Sequence, residues 1–387
     1  MALILARSPY LIGRQGFDNN ATLELELLTS LILLGSEVPL SLKTYYFNFR
    51  LQTSLDIAPF IRDYLTDNKI LLVKATIRGN IGGVEQTPII ENHLAVDGYS
   101  YFEEGYNNDV SSILESNSFY AGSNNLLQFN KNAFLRIPFV YTETSSPSVS
   151  SITVNVYDSF GNLLQVINNT FGIPIASENR VKYILIGYGD YEQYFKNRVL
   201  SNFGIFESSN CLVTFIDVIE NTLNVTRIEI VGRSSGGSIV NTKTLSVETI
   251  EECKYEPKEV HFLNRYGVEE TFWFFKKNVK SITVEKETYR PNIASSYANG
   301  VLSHQYQDYN VNGREKIVLN TGFVNESFSE NIKQLMLSEK VWVYDNGIKR
   351  PINVSTSEME LRTHVNDKLI NYTVEFEFSN EIINNVG

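Results

Sequence analysis

Hydrophobic and polar positions alternate with a period of two along much of this chain, the period of β-strands with one buried face. In residues 22–28 the leucines Leu23, Leu25 and Leu27 fall on one side and Glu24 and Glu26 on the other, which predicts a strand with the acids facing solvent. Residues 44–51 and 70–77 predict two more strands. Between them, Asp56 ahead of Ala58 and Pro59 marks a short helical turn over residues 56–65, lying across the end of the sheet with Asp56 as its cap. Residues 1–96 read as one β-sandwich-like domain.

Residues 97–132 lose this periodicity and become rich in Tyr, Ser, Asn and Gly, as in an ordered insertion or a set of long loops. Strand patterns resume at 134–141, 152–157 and 163–167, the last two joined by a hairpin connection over 158–162, and continue at 183–186, 212–216, 227–231 and 244–248. Residues 133–255 thus form a central β region. An aromatic strand at 271–275 dominates residues 256–310. The remaining segment, 311–387, combines a strand at 315–320, a helix over 327–338 with apolar Ile332, Leu335 and Met336, and strands at 341–344, 352–354 and 372–378. Ser327 or Ser329 is the expected helix cap, and the last strand turns Glu375 and Glu377 outward. The predicted fold is mainly β: tandem β-sandwich-like domains with a small C-terminal α+β module.

Length fits several domains, since 387 residues exceed what one core ordinarily spans. The 22 Tyr and 23 Phe add weight to strands, where bulky side chains pack on a pleated surface. With 33 basic against 44 acidic residues the net charge is −11, and an acidic surface repels phosphate backbones, so neither wrapping nor sequence-specific recognition of nucleic acid is expected. No apolar run approaches the roughly 20 residues that span a bilayer, and the apolar start at residues 1–6 is too short for a signal peptide. No membrane partner is expected. Two cysteines, Cys211 and Cys253, cannot build a disulfide framework and are predicted to be buried thiols.

Two short motifs imitate chemistry. Gly232-Arg-Ser-Ser-Gly236 has the spacing of a nucleophile elbow, but the sequence after it continues as turn and strand instead of helix, so a hairpin connection is expected and Ser234 takes no catalytic role. Gly187-Tyr-Gly-Asp-Tyr-Glu192 begins like a dinucleotide fingerprint, yet Glu192 replaces the third glycine and would face a pyrophosphate. The histidines His93, His261, His304 and His364 show no metal-ligand spacing. Acid pairs such as Glu24/Glu26, Glu251/Glu252 and Glu269/Glu270 read as solvated surface. No catalytic residue, cofactor or metal is expected. What remains are contact residues: Phe272, Trp273, Phe274, Phe275 and Trp342 for core or subunit interface, and Tyr99, Tyr101 and Tyr106 as an exposed contact surface for protein or carbohydrate.

Three stretches carry a resemblance. Val260-His-Phe-Leu-Asn-Arg-Tyr-Gly267 with Thr271-Phe-Trp-Phe-Phe275, Leu319-Asn-Thr-Gly322 with Ile332-Lys-Gln-Leu-Met-Leu-Ser-Glu-Lys-Val-Trp342, and Asn366-Asp-Lys-Leu-Ile-Asn-Tyr-Thr-Val-Glu-Phe-Glu-Phe378 resemble segments of structural proteins from tailed phages and prophages of Bacteroidetes hosts, including crAss-like phages. The resemblance implies a virion protein of the tail, neck or baseplate, ring-forming, partnered by itself and by other virion proteins and made in the bacterial cytoplasm. It brings no catalytic motif. The competing expectation is a carbohydrate-binding adhesin or tail-fibre module that stacks sugars on Tyr99, Tyr101 and Tyr106. A hydrolase working through Ser234 is the third.

Overall fold

The computed structural model describes residues 2–33, 36–50, 52–65, 71–113, 120–130, 133–140, 151–170, 181–188, 211–216, 225–234, 236–290, 304, 306–345, 347–359 and 369–383. The fold is mainly β. A first sheet has the order β1 (Leu3–Leu5), β9 (Ile89–Val96), β6 (Leu71–Arg78), β3 (Thr22–Leu33), β4 (Ser36–Asn48). A second runs β10 (Leu126–Phe129), β17 (Ile239–Thr249), β16 (Val225–Arg233), β12 (Ser151–Asp158), β13 (Leu163–Thr170), and a third β11 (Leu135–Val140), β14 (Val181–Tyr188), β15 (Cys211–Ile216). The fourth and largest is β19 (Glu269–Phe274), β18 (Lys258–Leu263), β22 (Val341–Asp345), β23 (Ile348–Val354), β24 (Leu369–Glu381), β21 (Gln307–Asn325), β20 (Val279–Tyr289). Two small ribbons, β2 (Leu11–Gly13) with β5 (Ser54–Asp56) and β7 (Asn80–Ile81) with β8 (Val84–Glu85), complete the strands; the α-helices are α1 (Ala58–Arg62), α2 (Val110–Ile113) and α3 (Ser329–Leu337).

The chain divides into two compact units, one of residues 1–251, 262–271 and 330–338 and the other of 252–261, 272–329 and 339–387. In the first unit, the alternation read from residues 22–28 is realised in β3: Leu23, Leu25 and Leu27 are fully buried, while Glu24 and Glu26 take Arg78 and Lys74 as ion partners. That buried face packs under Ile57 and Ile61 of the α1 region, each such side chain contributing about 1.5–3 kcal/mol. The helical turn is held as expected in part. Ile57 occupies the N-cap position, and Asp56 reaches past it to accept from the Ala58 and Tyr10 N–H groups.

The second and third sheets face each other as a sandwich. Ile152, Val154, Ile228 and Ile230 from one meet Ile137, Phe139, Ile184 and Ile186 from the other in a single core. The hairpin β12–β13 turns on Asp158, whose carboxylate accepts from the N–H groups of Phe160 and Asn162, the side-chain mimicry for which Asp is selected in turns. Parallel pairing joins β1 to β9, and there Leu3, Leu5, Leu94 and Val96 bury one face while Ile4 and Ala95 bury the other, as parallel pairs require.

The second unit follows its last strand. Tyr372, Val374, Phe376 and Phe378 alternate inward along β24, and Glu375 and Glu377 lie on the opposite side beside Lys316 and Arg314. Asn325, not Ser327 or Ser329, caps the 3₁₀ turn Glu326–Phe328 by accepting from the Ser327 N–H. Cys253 is exposed, which corrects its reading as a buried thiol; the side chain of Cys211 lies outside the described residues. Among the described residues no helix is long and apolar enough to cross a membrane.

Asp345 is a buried acid of this unit with three cations around it. Lys280 Nζ lies 2.6 Å and Lys258 Nζ 3.4 Å from its carboxylate, with Arg350 at 3.6 Å. Burial alone would raise the Asp345 pKa, but the hydrogen bonds and positive charge of Lys280 and Lys258 outweigh it and hold the group below the usual carboxylate range. The resulting stability is present above the unfolded pKa and is lost as pH falls through the folded one. Asp345→Asn should therefore destabilise the second unit by about 1–3 kcal/mol near neutral pH, and thermal unfolding should show the gap to wild type closing as pH falls below the usual carboxylate range; a gap that persists in acid would contradict this.

Candidate functional site

The turn that joins β18 to β19 positions the residues of greatest interest in the first unit. Asn264 closes it by accepting from the N–H groups of Tyr266 and Val268, and Gly267 adopts φ +72°, where a Cβ would stand 2.9 Å from that of Val96. Arg265 leaves this turn toward residues 101–104. Its Nη2 contacts both carboxylate oxygens of Glu104 at 2.5 and 2.6 Å, and Glu104 in turn accepts from the Tyr101 N–H. The Tyr101 hydroxyl donates to Glu330 Oε1 of α3 at 2.6 Å, and its ring lies within cation–π range of Arg265 (4.5 Å) and Lys333 (3.8 Å). Burial first, and then the bond to Glu330, raise the Tyr101 pKa, so the phenol stays a donor.

This arrangement redistributes the predicted contact tyrosines. Tyr99 is buried, with its phenol pushed up to about 12 chiefly by burial, and Arg7 lies over its ring. Tyr101 is half-buried and committed to Glu330. Neither forms an exposed surface, because each ring has found cations and cover within its own unit. Tyr106 does remain exposed at 64%, and the sequence reading missed its companion Phe102, which is 91% exposed. The loop that presents the pair is braced: Asn108 donates to the carbonyls of Glu104 and Gly105, and the Asn107 side chain accepts from the Leu11 N–H.

Behind this loop sits a carboxylate that a solvated-surface reading misplaced. Glu269 and Glu270 are both buried, on opposite sides of β19. Glu269 pairs with buried Arg136. Glu270 accepts from the Ser123 N–H and hydroxyl, from Asn264 Nδ2 at 3.0 Å and from Asn331 Nδ2 at 2.8 Å, so one side chain ties residues 120–124, the β18–β19 turn and α3 together. Desolvation raises its pKa despite these donors, and the nearby charge of Glu330 adds to the rise. The amide-rich neighbours Asn264 and Asn331 were the available signal, yet they lie 67 residues apart (331 − 264).

The aromatic residues of β19 lie inward. Phe272 meets Phe274 and Phe328 edge-on, Phe274 meets Phe376, and Trp273 is buried too, so these three serve as core in this chain. Phe275 and Trp342 are half-buried, with Lys276 and Lys349 over their rings. Ser234 stands in the turn between β16 and β17, where its N–H donates to Ser238 and no helix follows. Residues 189–192 of the second motif, and His364, lie outside the described residues. Among the described residues no group of His, Cys, Asp and Glu is placed to hold a metal ion. The sequence matches no known family model and no curated protein.

Because the folded state keeps the Glu270 proton to a higher pH than the unfolded chain does, stability conferred by the protonated form is full below the unfolded pKa and falls as pH rises toward the folded one. Glu270→Gln should remove that slope from pH-dependent unfolding; an unchanged slope would show that another group carries it. Arg136→Met removes the guanidinium paired with buried Glu269 and should cost about 3–5 kcal/mol in denaturant unfolding, whereas a loss under about 1 kcal/mol would mean the pair contributes as little as a solvent-screened one.

Proposed function

We propose that this chain is a structural subunit of a tailed-phage virion, acting by protein–protein assembly with itself and with other virion proteins in a tail, neck or baseplate ring. The observation that carries the reading is the end of the fourth sheet. Strand β20 is exposed over all eleven of its residues and, among the described residues, has β21 as its one neighbour in the sheet order, which leaves its other row of backbone donors and acceptors beside Val279, Ile282 and Val284 without a described strand. An exposed edge of that length with apolar side chains at Val279, Ile282 and Val284 is what a monomer shields and what an assembly subunit uses. The stretches at 260–275, 319–342 and 366–378 that resemble tailed-phage structural proteins point the same way. Closed rings arise where a heterologous contact repeats with a rotation that closes.

A second reading, adhesion to carbohydrate, has one observation in its favour: Phe102 and Tyr106 stand exposed on a braced loop, as sugar-stacking rings do. Light scattering across a concentration series, with negative-stain imaging, separates the two. The assembly reading predicts discrete oligomers and ring-shaped particles. A chain that stays monomeric at every concentration while binding a glycan array, with the binding lost in Phe102→Ala/Tyr106→Ala, would replace it with the adhesin.

A further inference from the structure

We infer that β20 pairs with the open edge of β4 in a second copy of this chain, extending one copy's sheet by the other's. The inference rests on the assembly reading above and names its contact. Sheet edges are usually protected by lysines that point into the path of an incoming strand, by proline or by bulges. In β20 both lysines are already engaged within the chain: Lys280 with Asp345 at 2.6 Å and Lys286 with Asp308 at 2.7 Å. The strand contains no proline, and its pairing with β21 stays regular from Val279 to Glu285 before a bulge. Ile282, Thr283 and Val284, three consecutive β-branched residues, lie in that regular part, with Ile282 61% and Val284 56% exposed.

A chain of net charge −11 repels its own copies, so any self-contact has to be locally balanced. Among the described residues no cation pairs with Glu285, and none of the acids pairs with Lys43 on β4. Strand β4 closes the other end of the first sheet, with β3 as its one neighbour among the described residues; its Pro39 and the register shift at Leu42 protect only its first half, its pairing with β3 is regular from Lys43 to Asn48, and Tyr46 there is 75% exposed. A single antiparallel register answers both features. Setting Glu285 opposite Lys43 also sets Ile282 opposite Tyr46, while the small Thr283 and Ser281 fall opposite Tyr45 and Phe47. Opposite charges and a β-branched residue facing an aromatic are the cross-strand pairs that stabilise sheets. Donor and acceptor edges differ, so the contact is head-to-tail and propagates from copy to copy, as ring closure requires.

Charge exchange tests this on the full chain, with circular dichroism confirming that each variant keeps its fold, since Glu285 and Lys43 are both exposed. Sedimentation velocity over a concentration series should show Glu285→Lys and Lys43→Glu each weakening self-association by about fivefold, from placing like charges opposite one another. The double variant Glu285→Lys/Lys43→Glu should recover wild-type association. Oligomers in wild type with single variants that associate equally well, or a double variant no better than the singles, would overturn the β20–β4 contact and leave the assembly reading standing. A wild type that is monomeric throughout would overturn both.

Discussion

Backbone N–H and C=O groups must be satisfied wherever they are buried, and in a mainly β chain that requirement falls on the edges of sheets. The described strands here form open sheets rather than a closed barrel, and the chain treats their ends unequally. At the β1 edge, Ile4 bridges to Asp109, and the strand is buried on both faces, Leu3 and Leu5 in one apolar cluster and Ile4 in another. At the β20 edge both faces are bare. Among the described residues β20 is exposed along all eleven of its positions, and this asymmetry between the two edges is the feature on which the proposed assembly role rests.

The first unit depends equally on a polar device. Parallel pairing of β1 and the long excursion of residues 97–132 return segments from distant parts of the chain to one place, where hydrophobic burial alone gives no register. Glu270 supplies it, because a carboxylate with donors from Ser123, Asn264 and Asn331 is satisfied in one arrangement of those segments. Its cost is desolvation, seen in the raised pKa. With α3 and the β18–β19 turn so fixed, Glu330, Lys333 and Arg265 meet Tyr101, and hydrogen bonds of Glu104, Asn107 and Asn108 brace the loop carrying Phe102 and Tyr106. Exposed aromatic side chains on rigid backbone lose little entropy on contact with a partner.

Most strands were legible because their faces differ. β3, β12 and β24 alternate visibly, and the hairpin residues Asp158 and Gly237 mark turns by their own chemistry. β20 was missed for the converse reason: Lys, Ser, Thr and Glu occupy both of its faces, and no period appears where neither face is buried. Parallel pairings β1–β9, β10–β17 and β14–β15 join residues far apart in sequence and leave no local trace. The contact tyrosines were placed by composition, which cannot tell a ring that faces solvent from one that has found Arg7, Arg265 or Lys333. Glu269 and Glu270 looked like ordinary surface acids because their partners, Arg136 and Ser123, lie in the central β region and the preceding insertion.

Whether β20 acts as an addition strand is most directly read from amide hydrogen exchange in assembled and dissociated protein. A free edge exchanges rapidly, and a paired one is protected. Slow exchange of residues 279–285 and 43–49 in the assembled form, with faster exchange of both on dissociation, is the predicted result. Equal exchange of these segments in the two states, in particles that nonetheless form, would contradict it.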